Sequence, residues 1–177
     1  QRELRGASIE CLEAVPNLVT GYVMDLLSEG VDWDAALERA RGEGVLEADA
    51  SWDLDGWDAA AKLVILTNAV LGYPARLEEV ERTGISAISV KELQLGRQQG
   101  TRYRLLAKAE RCVDCGYRLT VQPVALRPEH SLGNLGRKQM GVVYHTDIFG
   151  SITAVIEELT PMPSAASMLR DILDILV

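Results

Sequence analysis

Apolar positions along the chain fall into period-two runs and helical stripes, and their order predicts a fold. Residues 7–12 alternate weakly and read as a short strand, closed by the turn sequence Ala14-Val15-Pro16-Asn17. A helix follows. Pro16 lies at its start, where a missing N–H costs nothing, and Leu18, Tyr22, Val23, Leu26 and Leu27 form its apolar stripe before Gly30. Asp32 caps a second helix whose Ala35, Ala36, Leu37 and Ala40 face inward. A longer helix is expected from near Asp55 to Gly72, with Pro74 beyond it as a stop. The run Leu63 to Leu66, with Ala69, Val70 and Leu71, is apolar nearly all round, which predicts a buried helix.

The second half reads mainly as strands. After a short polar helix over 90–99, capped by Ser89, residues 102–110 and 117–124 alternate as an antiparallel hairpin. Residues 127–141, RPEHSLGNLGRKQMG, form a long irregular connection. Strands over 141–145 and 151–156 and a closing helix from about 163 to 176 complete the chain. This order predicts one α+β domain over 1–177, with a mixed, largely antiparallel sheet and helices packed mainly on one face.

Composition narrows the function classes. The chain has 177 residues, 47% of them hydrophobic, enough for a sizeable core. A formal net charge of -8 argues against nucleic-acid and anionic-membrane partners, which would repel it at long range. No apolar stretch reaches membrane-spanning length and the N-terminus has no apolar signal core, so a soluble cytoplasmic protein is expected. The first residue is Gln1 rather than methionine, which suggests a piece of a longer protein.

The three cysteines, Cys11, Cys112 and Cys115, lack the dense spacing of a secreted scaffold and favour a reducing compartment. Cys112 and Cys115 form a lone CxxC in what reads as a hairpin turn. A zinc site would need a second ligand pair, and His130 and His145 are irregularly spaced, so no metal is expected.

The candidate chemistry gathers in residues 47–62, EADASWDLDGWDAAAK. Five acids, Glu47, Asp49, Asp53, Asp55 and Asp58, precede Lys62 around a helix start. Asp58 and Lys62 are four apart, so they project from one helix face and can touch. A solvated ion pair at that spacing contributes only roughly 0.3–0.5 kcal/mol. The apolar run beyond it places Lys62 at a core boundary, where burial and neighbouring carboxylates act on a lysine in opposite directions.

This acidic stretch resembles the catalytic domain of homoserine dehydrogenases, and the resemblance covers nearly the whole chain. The family's pattern, a glutamate, an aspartate two on, then a DxxGxDAxxK-type run, is matched by Glu47, Asp49, Asp53, Asp55, Gly56, Asp58, Ala59 and Lys62. Further support comes from GISAIS, VQPVALRPEHSL, the turn at Asp147 and Gly150, and PSAASMLRDIL. The resemblance implies that Lys62 is the acid/base or carbonyl-orienting group and that Asp58 holds it. It implies that Glu47 and Asp53 contact the amino-acid end of the substrate. The implied reaction is hydride transfer between a nicotinamide cofactor, NAD or NADP, and aspartate 4-semialdehyde, giving homoserine on the route to threonine and methionine. It also implies a homodimer formed through the sheet.

Three departures from the family qualify that expectation. No G-x-G-x-x-G follows a strand, so NAD(P) is expected to be bound mainly by a nucleotide-binding domain missing from this chain, and the chain alone is expected to be inactive. The family's NGTTNY turn is replaced by Asn17-Leu18-Val19-Thr20-Gly21-Tyr22, and Val45 stands where a tyrosine is usual; Leu18 and Val19 are expected to dry the substrate wall. A glycine-rich GxGAG segment is replaced by Glu157-Glu158-Leu159-Thr160-Pro161, which forbids close backbone approach to a ligand. Two alternatives follow: a related dehydrogenase acting on a less polar hydroxy or oxo acid, and a non-catalytic dimerisation or binding module.

Overall fold

The computed structural model describes residues 6–46, 49–114, 116–160 and 162–176. In chain order its elements are β1 (Ile9–Val15), α1 (Leu18–Ser28), α2 (Trp33–Gly42), α3 (Ser51–Leu54), α4 (Trp57–Leu66), β2 (Glu81–Arg82), α5 (Val90–Gln98), β3 (Arg102–Cys112), β4 (Gly116–Leu126), β5 (Gln139–Thr146), β6 (Gly150–Glu157) and α6 (Met162–Leu176). The six strands form one sheet in the order β2-β4-β3-β1-β5-β6. All neighbours are antiparallel except β2 and β4, so the sheet is mixed and largely antiparallel, as the sequence predicts.

Central β1 shows why one face is apolar. Successive side chains alternate, so Leu12 and Ala14 point to the helices while Cys11, Glu13 and Val15 point away. On the helical face they join Leu105, Ala107 and Ala109 of β3 and Leu119 and Val121 of β4. Val23 and Leu27 of α1, Ala59, Ala60 and Leu63 of α4, and Leu93 of α5 close this core. Burying side chains such as Leu12, Leu63 and Leu93 stabilises the fold by roughly 1.5–3 kcal/mol each. The opposite face carries a smaller cluster, in which Leu132 and Leu135 of the 127–138 connection cover Val15, Leu106, Leu126 and Val143. Helices α1, α2, α4 and α5 therefore gather on one face.

Caps fix where the helices begin. The Asn17 side chain accepts from the Thr20 amide at 3.0 Å to start α1, and Asp32 accepts from the Ala35 amide at 2.9 Å to start α2. At α5, Ser89 and Glu92 form a reciprocal capping box.

The long helix expected from near Asp55 to Gly72 forms as α4 and, without a gap, a π-helical turn, Thr67–Leu71, which Gly72 ends at φ +67°; Gly56, at φ +81°, sets off the short α3 ahead of it. The helix is not buried all round, however. Ala59, Ala60 and Leu63 are buried, but Ile65 is 63% exposed.

An ion cluster absent from the sequence reading ties α1 to β3. Asp25, on α1, accepts from Arg102 at 2.6 Å and from Arg104 at 2.9 Å, and both Asp25 and Arg104 are buried. Burial pulls the Arg104 guanidinium below its ordinary value, and the Asp25 charge opposes that shift.

Candidate functional site

The site assembles where the end of β1, the start of α1 and the α3–α4 corner meet. Lys62 projects from α4 and its Nζ lies 2.8 Å from Asp58 Oδ2, so the two predicted reacting-centre residues are paired. Lys62 also donates to the Pro16 carbonyl at 3.0 Å. An ammonium has three donors. With two engaged, one is left for a ligand, and 44% of the Lys62 side chain remains exposed to reach it.

Asn17 is the residue that sequence reasoning missed. Its Nδ2 donates to Asp53 Oδ1 and to Asp58 Oδ2, both at 2.7 Å, while its Oδ1 caps α1. One buried amide thus organises two carboxylates and a helix start. The signal is present in the sequence, because Asn17 keeps the first position of the NGTTNY turn, as Thr20 and Tyr22 keep the fourth and sixth. Asp53 is therefore brought into the same cluster as Asp58 and Lys62. Glu47, the second residue expected at the substrate's polar end, lies outside the described residues.

The α3–α4 corner is held from outside. Trp52 and Trp57 stack with ring centroids 5.9 Å apart, and the Arg82 guanidinium sits 3.8 Å over the Trp57 ring. Arg82 also donates to the Asp55 carbonyl. Behind the corner the GISAIS segment approaches so closely that a Cβ on Gly84 would lie 2.6 Å from the Leu54 carbonyl oxygen. Asp49 shapes the loop by accepting from the Ser51 amide at 3.0 Å. Its two bonds from Ser51 hold its carboxyl below the ordinary value.

Beside Lys62 opens an apolar cavity of about 350 Å³, walled by Ile65 and Leu66 of α4, Pro16, and Met140, Val142 and Ile156 of the β5–β6 hairpin. The sequence does not predict this wall as such, since Ile65 and Leu66 read as core. Val19 corrects the expectation in the other direction. It is 7% exposed and belongs to the main core, because it lies on the inner side of α1, and it does not line this cavity. Val45 packs against the same core.

A lysine braced by an aspartate, next to a second carboxylate and an apolar cavity, is an arrangement that can pass a proton to or from a carbonyl oxygen. A sequence model of the homoserine dehydrogenase family matches residues 1–173, and the chain belongs to that family. It is 27% identical, over 99% of its length, to an NAD(+)-dependent homoserine dehydrogenase of Pseudomonas canavaninivorans, covering 50% of that protein. It is 29% identical, over 97% of its length, to a homoserine dehydrogenase of Methanocaldococcus jannaschii, again covering 50% of the relative. The crystal structure of a homoserine dehydrogenase from Thiobacillus denitrificans superposes with a TM-score of 0.88 at 26% identity, over 97% of this chain and 40% of that one. The chain thus spans about half the length of the curated relatives just named.

Proposed function

We propose that this chain is the substrate-binding, proton-transferring half of a homoserine dehydrogenase, interconverting aspartate 4-semialdehyde and homoserine on the route to threonine and methionine. The observation that carries the reading is the Lys62 ammonium, fixed by Asp58 and the Pro16 carbonyl with its third donor left over at the mouth of an apolar cavity. When bound, the nicotinamide cofactor supplies or accepts the hydride. The described residues include no glycine-rich strand-to-helix turn that would cradle its pyrophosphate, so we assign NAD(P) mainly to a nucleotide-binding domain outside this chain. The cavity beside Lys62 suits a flat, weakly polar ring.

In the reducing direction Lys62 donates a proton to the carbonyl oxygen and stabilises the negative charge developing there. Asp58 fixes the ammonium's direction, and Asn17 fixes Asp58. Asp53, held by the same amide, and Glu47 receive the substrate ammonium. Two carboxylates against one lysine leave a net negative cluster, which suits a zwitterion's cationic end. The reading of a less polar substrate is weakened, because Val19 lies in the core and Val45 packs against it.

We also assign the protein to the cytoplasm, as a homodimer formed through the sheet. No helix among the described residues is long and apolar enough to cross a membrane. The end strand β6 is exposed throughout, with Ile152, Val155 and Ile156 on its two faces, and offers a surface for a second copy.

The test is homoserine oxidation by the full-length protein with NAD and with NADP, compared with apolar hydroxy acids. Lys62→Ala should lower turnover by roughly 10²–10⁴-fold, the range of a lost acid–base group. Full activity in that variant would overturn the assignment, and preferential saturation by the apolar acids would replace the substrate.

A further inference from the structure

On the sheet face opposite the helices, β1 and β5 bring together side chains far apart in sequence. Cys11 and Glu13 are two residues apart on β1 and share that face, and His145 pairs directly with Cys11. A bulge at this point aims them: Ile9 pairs with Thr146 and Cys11 with His145, leaving Glu10 as the extra residue. The Cys11 sulfur, a Glu13 oxygen and a His145 ring nitrogen all lie within 4.8 Å of one another.

We propose that Cys11, Glu13 and His145 form a binding site for a divalent transition metal of the zinc class, separate from the Lys62 centre and independent of the reading given for it.

The donor set selects the ion. Thiolate, imidazole and carboxylate together suit zinc and its neighbours rather than magnesium or calcium, and a thiolate with a carboxylate balances a 2+ charge. Spacing fits as well. Tetrahedral coordination at zinc distances separates an oxygen from a nitrogen ligand by about 3.3 Å and a sulfur from either by about 3.5 Å. Glu13 Oε2 and His145 Nε2 are 3.1 Å apart, so the Cys11 side chain needs only to swing inward.

Two neighbours orient the ligands. Ser151 Oγ lies 2.9 Å from His145 Nδ1 and can donate to it while Nε2 donates to Glu13 Oε2; when a metal displaces the Nε2 proton, the hydroxyl turns to accept from a protonated Nδ1 and holds the ring in place. His130 Nδ1 accepts from the Leu132 amide at 3.1 Å, which places the proton of the neutral ring on Nε2, aimed at Glu13 Oε2 3.1 Å away. His130 therefore positions Glu13 and is not itself a ligand. Lys108, the nearest cation on β3, is engaged by Glu110 at 2.8 Å. Three protein ligands leave a fourth position for water or an incoming group.

The test is titration of the purified protein with Co²⁺ in the absence of reductant. Binding at one ion per chain should produce a thiolate-to-cobalt absorption band in the near ultraviolet, bleached by Zn²⁺. The band should vanish in Cys11→Ser, since Cys112 is disulfide-bonded and contributes no thiolate. His145→Ala and Glu13→Gln should weaken binding by about tenfold or more. In the unmutated protein, Zn²⁺ should slow alkylation of Cys11, a measurement that needs no variant to fold. Absence of the band, its persistence in Cys11→Ser, or alkylation unaffected by Zn²⁺ would overturn the proposal.

Discussion

The Asn17 amide nitrogen lies 2.7 Å from Asp58 Oδ2, and the same oxygen receives the Lys62 ammonium at 2.8 Å. Asp58 is thus fixed from two sides, and Asn17 also holds Asp53 and caps α1. Asn17→Asp keeps an oxygen for the cap but sets a third carboxylate against two others. Asn17→Ala removes everything. We expect Asn17→Ala to lose about 1 kcal/mol of stability with the cap, and both variants to lose turnover. Comparing thermal unfolding with kcat separates the roles, since a purely structural Asn17 would leave kcat intact in Asn17→Asp.

The corner that presents Asp53 and Asp58 depends on a glycine without a Cβ. At Gly84 an added Cβ would meet the Leu54 carbonyl at 2.6 Å and Asp55 Cα at 2.8 Å, both backbone atoms that cannot rotate away. Gly84→Ala should cost about 1–3 kcal/mol in chemical denaturation. It should also raise KM, because displacement of α3 moves Asp53.

Asp25 and Arg104 are nearly fully enclosed, and removing one charge strands the other. Asp25→Asn should destabilise by about 3–5 kcal/mol, measured by denaturant unfolding. Replacing Asp25 and Arg104 together with apolar residues of similar volume should recover part of that loss. No recovery would show that Arg102, bonded to the same carboxylate at 2.6 Å, keeps the cluster unsatisfied.

The α5 cap should respond to acid. Hydrogen bonds from the Ser89 hydroxyl and amide hold the Glu92 carboxyl below its ordinary value of 4.5. A lowered folded value means the stabilisation is complete above the unfolded value and is lost as pH falls through the folded one. Carboxyl NMR titration should therefore find Glu92 below 4.5, returning toward it in Ser89→Ala.

Much of this fold is legible because the alternation of β3, β4, β5 and β6 and the caps at Asp32 and Ser89 are local signals. Strand β1 was read too short. Ala14 and Val15 look like a turn before Pro16, yet they pair with Val142 and Gly141 of β5, a tertiary fact. The two-residue β2 has no local signature, since it exists through its parallel pairing with Thr120 and Val121. At the site, the Asp58–Lys62 pair follows from helix spacing alone. The contacts of Lys62 with Pro16 and of Asn17 with both aspartates span 36 residues or more, so no window of sequence shows them. The same holds for Cys11 and His145, which only the bulged pairing of two strands makes neighbours.

The position of β1 in the sheet bears on how the site moves. Its backbone is bonded on one side to β3 and on the other to β5, and it runs directly into Pro16 and Asn17. The carbonyl that receives Lys62 and the amide that gathers the aspartates therefore hang from a strand that is paired on both sides and cannot open by itself. Amide exchange along β1 should be limited by global unfolding rather than by local fluctuation. The acid–base geometry should then persist undistorted up to the melting transition and disappear with it.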